Sequence, residues 1–129
     1  MTREEKIAYW LKSAETDWTV AEHLVEKRDY SYALFFGHLH LEKLLKAVFV
    51  YRYDEVPPFT HRLPFLAERA GLILSEERLE LLETVTDFNL EARYPDEKFS
   101  FQQKCTTEFT AQYLDKIKEM ASWLRQQLP

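Results

Sequence analysis

The stretch Phe35–Val50, FFGHLHLEKLLKAVFV, decides the fold. Apolar residues occupy nearly the whole helical circumference, interrupted on one side by His38, Glu42, Lys43 and Lys46. A helix this apolar belongs inside a bundle, and its remaining polar positions either face solvent or line a cleft between helices. Extended to Tyr30 or Ser31 at one end and to Tyr51 or Arg52 at the other, the segment predicts a long helix with two adjoining stripes. One carries Ala33, Gly37, His40, Leu44 and Ala47, and the other Leu34, Leu41, Leu45 and Val48. Two stripes imply more than one neighbour. Gly37 costs about 1 kcal/mol relative to alanine inside a helix, so it marks either the close approach of another backbone or a tolerated surface glycine.

Upstream, Ile7, Leu11, Ala14, Trp18, Ala21 and Val25 recur at intervals of four and three, which predicts an amphipathic helix from about Arg3 to Lys27. Thr2 and Glu5 form a capping-box pattern at its start, and Arg28-Asp29-Tyr30 supplies the turn that follows. Downstream, Pro57 and Pro58 make residues 54–59 a connector. Thr60 is the expected cap of a short third helix with Leu63, Leu66, Ala67 and Ala70 as its apolar side and Gly71 as its stop. Ser75 begins a fourth helix that ends near Ala92, before Pro95, with Leu79, Leu82, Val85, Thr86 and Asn89 on one stripe. Phe109, Tyr113, Ile117, Met120 and Leu124 predict a last helix running from about Phe101 or Gln102 to Gln127. The expected fold is all-α: an antiparallel up-and-down four-helix bundle with one additional short helix, in a single domain over residues 1–129.

Composition narrows the function classes. With 129 residues, two glycines and 46% apolar residues, the chain has the makings of one helical core. A net charge of −5 and a pI near 5.4 argue against a protein that holds nucleic acid through a broad basic surface, although a local basic pocket is compatible with them. The single Cys105 offers neither an intramolecular disulfide nor a cysteine cluster for zinc. The opening TREEK lacks an apolar secretory core, and no membrane-length apolar run occurs, so the expected compartment is the cytoplasm, with no membrane partner. Glycine-rich phosphate loops, a nucleophile elbow and an HExxH metal motif are all missing, and no intrinsic cofactor or metal is expected.

Several stretches together resemble the HEPN domain family (higher eukaryotes and prokaryotes nucleotide-binding). They are Trp10-Leu-Lys-Ser-Ala-Glu-Thr-Asp17, Tyr30, Ala33-Leu-Phe-Phe-Gly-His38, Glu42-Lys-Leu-Leu-Lys-Ala47, Thr60-His61-Arg62-Leu63 and Ala92-Arg-Tyr-Pro-Asp96, spread over roughly residues 7 to 125. The resemblance implies a helical domain that often forms a homodimer and is often encoded beside a minimal nucleotidyltransferase, in pairs that often behave as toxin–antitoxin systems. It also implies an ATP-like nucleotide or RNA as ligand. Many such proteins are metal-independent ribonucleases carrying an arginine followed by a histidine four to six residues later. Here the matching Arg93 is followed by Tyr94, Pro95, Asp96, Glu97, Lys98, Phe99 and Ser100, and no histidine occurs after it. Lys98 stands where that histidine is allowed, but an ordinary lysine is protonated at neutral pH and makes a poor base.

The candidate site therefore centres on Arg93, whose planar fork suits phosphate, and on Tyr94, whose ring can stack on a base. An alternative for Arg93 is an ion pair with Asp17 or Glu42. Lys43 and Lys46 are phosphate contacts if their helix face lines a groove; otherwise Glu42 and Lys46 form a solvated surface pair. Lys98 is a further phosphate candidate, with Asp17, His38, Glu42, His61 and Asp96 as supporting polar groups. The leading expectation is a non-catalytic nucleotide- or substrate-binding module that acts with a separate minimal nucleotidyltransferase. One alternative is a divergent metal-independent ribonuclease toxin in which His38 or His61 replaces the missing histidine. Another is a structural dimeric scaffold.

Overall fold

A computed structural model describes residues 1–129. Four long helices and two short ones follow one another: α1 (Arg3–Glu26), α2 (Tyr30–Tyr53), α3 (Leu63–Arg69), α4 (Glu76–Arg93), α5 (Ser100–Lys104) and α6 (Thr107–Arg125). The capping box at the start of α1 forms as the sequence indicates. Thr2 Oγ1 accepts the Glu5 N–H at 3.1 Å and the Glu5 carboxylate accepts the Thr2 N–H at 2.9 Å. Between α1 and α2 the chain reverses without glycine. Arg28 adopts the left-handed region at φ 63°, and the amides of Lys27, Arg28 and Asp29 donate back to the carbonyls of His23, Val25 and Leu24. So short a connection makes α1 and α2 antiparallel neighbours.

Helix α2 packs against each of the other five helices and is the axis of the bundle. Its two apolar stripes explain that position, since Ala33, Leu34, Leu41, Leu44, Leu45, Ala47 and Val48 are all buried. Gly37 is buried rather than at the surface, and what approaches it is side chains rather than another backbone. A Cβ there would lie 2.9 Å from Ile117 Cδ1 and 3.4 Å from Leu114 Cδ2, both on α6. No helix is long and apolar enough to cross a membrane.

Two boundaries differ from the sequence expectation. The last helix is split in two, because Thr106 leaves helical geometry and its hydroxyl accepts the Phe109 N–H at 3.1 Å, starting α6 afresh. Phe99, in the left-handed region at φ 53°, precedes the short α5 and turns the chain into it. Cys105 ends α5, buried, with its thiol pushed up to about 12 chiefly by burial. The second difference concerns Thr60, which does not cap α3. Its hydroxyl accepts the Arg62 N–H at 3.1 Å, and the N-cap itself is Arg62. The orphan amide of Leu63 is satisfied instead by Thr86 Oγ1 on α4, at 3.1 Å, so a neighbouring helix caps α3.

Where α1 crosses α2, a histidine replaces a purely apolar contact. His40 is 2% exposed, its Nδ1–H donates to the Ala14 carbonyl at 2.6 Å, and its ring lies 5.1 Å from that of Trp18. Burial, only partly opposed by the Ala14 hydrogen bond, lowers its pKa from 6.5 to about 4. A histidine whose folded pKa lies below its unfolded value favours folding while neutral, and this contribution is lost as pH falls from about 6.5 to about 4. The loss attributable to His40 amounts to about 3 kcal/mol. Urea unfolding at pH 7 and pH 4.5 will show a smaller acid-induced loss for His40→Asn than for the native chain. Equal losses would show that His40 is not the titrating group.

Candidate functional site

A polar stripe runs along the buried centre of α2. His38, Glu42 and Lys46 succeed one another at four-residue spacing on one face, at 0%, 4% and 9% exposure. Buried charges require partners, and the Glu42 carboxylate supplies them on both sides. Its Oε2 accepts from Lys46 Nζ at 3.2 Å, one turn along the same helix. Its Oε1 accepts from His61 Nδ1–H at 2.7 Å, bringing in the connector before α3. His38 holds the same connector by its backbone, since its Nε2–H donates to the His61 carbonyl at 2.8 Å. A carbonyl can only accept, so Nε2 carries the proton and Nδ1, which is buried without a partner, is a bare acceptor.

His61 is thus fixed twice, by ring and by main chain, while its side chain remains 58% exposed. Nδ1 is committed to Glu42, and Nε2 has no protein partner. His38 is different in kind. Burial lowers its pKa, and although the His61 carbonyl and Glu42 oppose this, the charges of His61 and Arg93 add to it; His38 is neutral at pH 7. His40 points elsewhere, towards Ala14, so His38 and His40 do not form a pair.

Arg93, in the last turn of α4, lies close enough to His38 to depress its protonation. Its Nε and Nη2 donate to the carbonyl and side-chain oxygens of Asn89, one turn back, at 3.1 and 2.6 Å. The guanidinium carbon lies 5.3 Å from the Phe35 ring and 5.2 Å from the Tyr94 ring. No carboxylate pairs with Arg93, neither Asp17 nor Glu42. The guanidinium is held rigidly with Nη1 uncommitted. Tyr94 beside it is 67% exposed.

The other candidates fall into place around this core. Lys43 is not a free cation, because its Nζ approaches Asp17 Oδ2 at 2.6 Å and clamps α2 to α1, close as an ion pair but poorly aligned as a hydrogen bond. Nor do Glu42 and Lys46 form a solvated surface pair, since both are buried. Lys46 Nζ lies 5.2 Å from the Trp10 ring and 5.7 Å from the Phe59 ring, a cation between two aromatics. Asp96 serves its own turn: Oδ1 accepts the Ser100 N–H at 2.8 Å, and hydrogen bonds from Ser100 hold its carboxyl below the usual range. The Lys98 carbonyl accepts from Gln103 Nε2 at 2.7 Å, and its ammonium makes no ion pair. No three His, Cys, Asp or Glu side chains converge as a metal site.

Asn89 is the functional neighbour that the site expectations omit. Its signal is a buried amide side chain on the mostly apolar stripe of α4, four residues before Arg93. Phe59 gave a weaker one, an aromatic directly after two prolines.

The family model for the HEPN domain matches residues 7–127, nearly the whole chain, and the chain belongs to that family. Neither curated proteins nor solved structures yield a match. Membership supports a nucleotide-binding or ribonuclease-like module in general.

Because Glu42 compensates Lys46, removing it alone leaves a buried ammonium without a carboxylate. Glu42→Ala will cost about 3–5 kcal/mol in chemical denaturation. Removing both charges with Glu42→Leu and Lys46→Met will recover most of that loss. A double variant no more stable than Glu42→Ala would refute the pairing as the source of the cost.

Proposed function

We propose that the chain, acting as one HEPN unit over residues 1–129, is a nucleotide-binding module whose phosphate anchor is Arg93. The observation that carries this reading is the state of that guanidinium: fixed by Asn89, uncompensated by any carboxylate, and bordered by an exposed tyrosine. Arginine placed this way has already lost its rotamer freedom and retains donors for a bidentate anion contact. A nucleotide such as ATP offers the phosphate, and Tyr94 stacks on its base. Lys43 and Lys46, being paired, shape the site rather than hold phosphate.

In this role the module works as a homodimer in the cytoplasm with a separate minimal nucleotidyltransferase, as part of a toxin–antitoxin pair. The partner supplies the catalytic carboxylates and their metal. Support for this arrangement comes from the family and from the loss of the histidine after Arg93.

A second reading has its own observation, the Glu42–His61 pair with an exposed imidazole edge. Such a pair suits proton transfer. In a ribonuclease His61 Nε2 takes the proton of a ribose 2′-hydroxyl, O2′ bonds to phosphorus, and the bond to the 5′-oxygen breaks as that oxygen takes a proton from water. His38 cannot play this part, being buried with its Nε2–H committed to a carbonyl.

Titration with ATP in a calorimeter tests the first reading. Arg93→Ala will weaken binding about ten- to a hundredfold, the worth of a hydrogen-bonded charge contact. Arg93→Lys will recover only part of it, because an ammonium lacks the planar fork. Undiminished binding by Arg93→Ala refutes the anchor. Incubation of a labelled RNA pool without metal separates the two readings: cleavage lost in His61→Ala establishes the second, and an inert native chain eliminates it.

A further inference from the structure

The polar stripe of α2 ends in an aromatic station at each side. At one end Arg93 lies against Phe35 and Tyr94; at the other Lys46 lies between Trp10 and Phe59. Phe35, His38, Glu42 and Lys46 share one face of α2, and the eleven steps from Phe35 to Lys46 span about 16 Å at a helical rise of about 1.5 Å per residue. Between the stations stands the clamped imidazole of His61. From this arrangement we infer that the site takes a short single-stranded oligonucleotide rather than one nucleotide, with Phe59 and Trp10 as a second base-stacking subsite. The inference rests on the phosphate anchor at Arg93.

Phe59 is the telling residue. Its relative exposure is 102%, so it contributes nothing to the core. A phenylalanine left in water forgoes roughly 2 kcal/mol of burial. Yet it is not loosely placed. Pro57 and Pro58 stiffen the chain before it, the Thr60 hydroxyl turns the chain after it, and His61 is held by both Glu42 and His38. A fully exposed ring carried on a backbone restrained on both sides is a platform for a planar ligand, because its face is open to stacking. Beside Trp10 opens a recess of about 210 Å³, with Tyr9, Val50, Val56 and Pro57 among its walls, where apolar surface meets the second station.

Two stations call for two bases, which a mononucleotide does not have. The ligand is also defined by charge. Glu42 neutralises Lys46 and Asp17 neutralises Lys43, so of the cations at the two stations and along the stripe Arg93 alone has no carboxylate partner. Binding is therefore stacking-dominated, which is compatible with a chain of net charge −5. A single phosphate contact on a single strand gives a log–log salt slope of about −0.7, far shallower than that of a basic nucleic-acid surface.

The test uses fluorescein-labelled single-stranded hexadeoxyadenylate, which lacks the 2′-hydroxyl and so survives any ribonuclease activity. Anisotropy titrations of the full chain are compared with ATP binding by calorimetry. The native protein will bind the hexamer more tightly than ATP, with the shallow salt slope given above. Phe59→Ala will weaken hexamer binding about 5- to 150-fold, the range for one stacked base, and will leave ATP binding and the melting temperature unchanged. Arg93→Ala will weaken both ligands. If Phe59→Ala binds the hexamer as the native chain does while ATP binding still depends on Arg93, the second subsite is refuted and the phosphate anchor stands. Loss of self-association in Phe59→Ala with unchanged hexamer binding would assign the ring to a protein contact and equally overturn the subsite. If neither ligand binds the native chain, both the anchor and the track fall.

Discussion

The site depends on one buried carboxylate. Glu42 lies in the middle of the most enclosed helix, where an unpaired charge could not persist, and it is kept there by Lys46 from its own helix and His61 from the connector. The consequences spread outward. The carboxylate tethers the connector to α2, His38 adds a backbone anchor one turn away, and the connector in turn sets Phe59 and the start of α3. A helix-to-helix link that composition presents as a run of prolines and polar residues is thereby tied to the bundle through His61.

Arg93 shows the converse economy. Lys43 and Lys46 of α2 are each paired with an acid, whereas Arg93 is held only by the neutral Asn89 of its own helix. Neutral hydrogen bonds restrict its rotamers without cancelling its charge, which is the condition a phosphate anchor needs. Lys43 and Lys46 have the opposite character, each neutralised by a carboxylate inside the protein. Charge count alone would rank the three cations together, but pairing separates them.

Much of the bundle was legible in the residues. The 3–4 periodicities of α1, α2 and α4, the Thr2–Glu5 capping box and the Ser75 cap all involve groups within four residues of each other, so local patterning encodes them. The last helix reads as continuous because Phe101, Cys105 and Phe109 keep a four-residue spacing across the break, and only the Thr106 cap interrupts it. The expected Thr60 cap failed for another reason: Thr86, distant in sequence, reaches the Leu63 amide.

By itself, then, the sequence determined an all-helical chain with α2 at its centre and Arg93 as a candidate, because side-chain period, capping and residue chemistry act over a turn or two of helix. Only the tertiary structure decided that Glu42 takes His61, that Asp17 takes Lys43, and that Arg93 takes no acid at all. Those two pairings join residues 19 and 26 positions apart. They follow from where the packed helices bring each charge and from the cost of leaving any buried one alone, quantities that no local pattern contains.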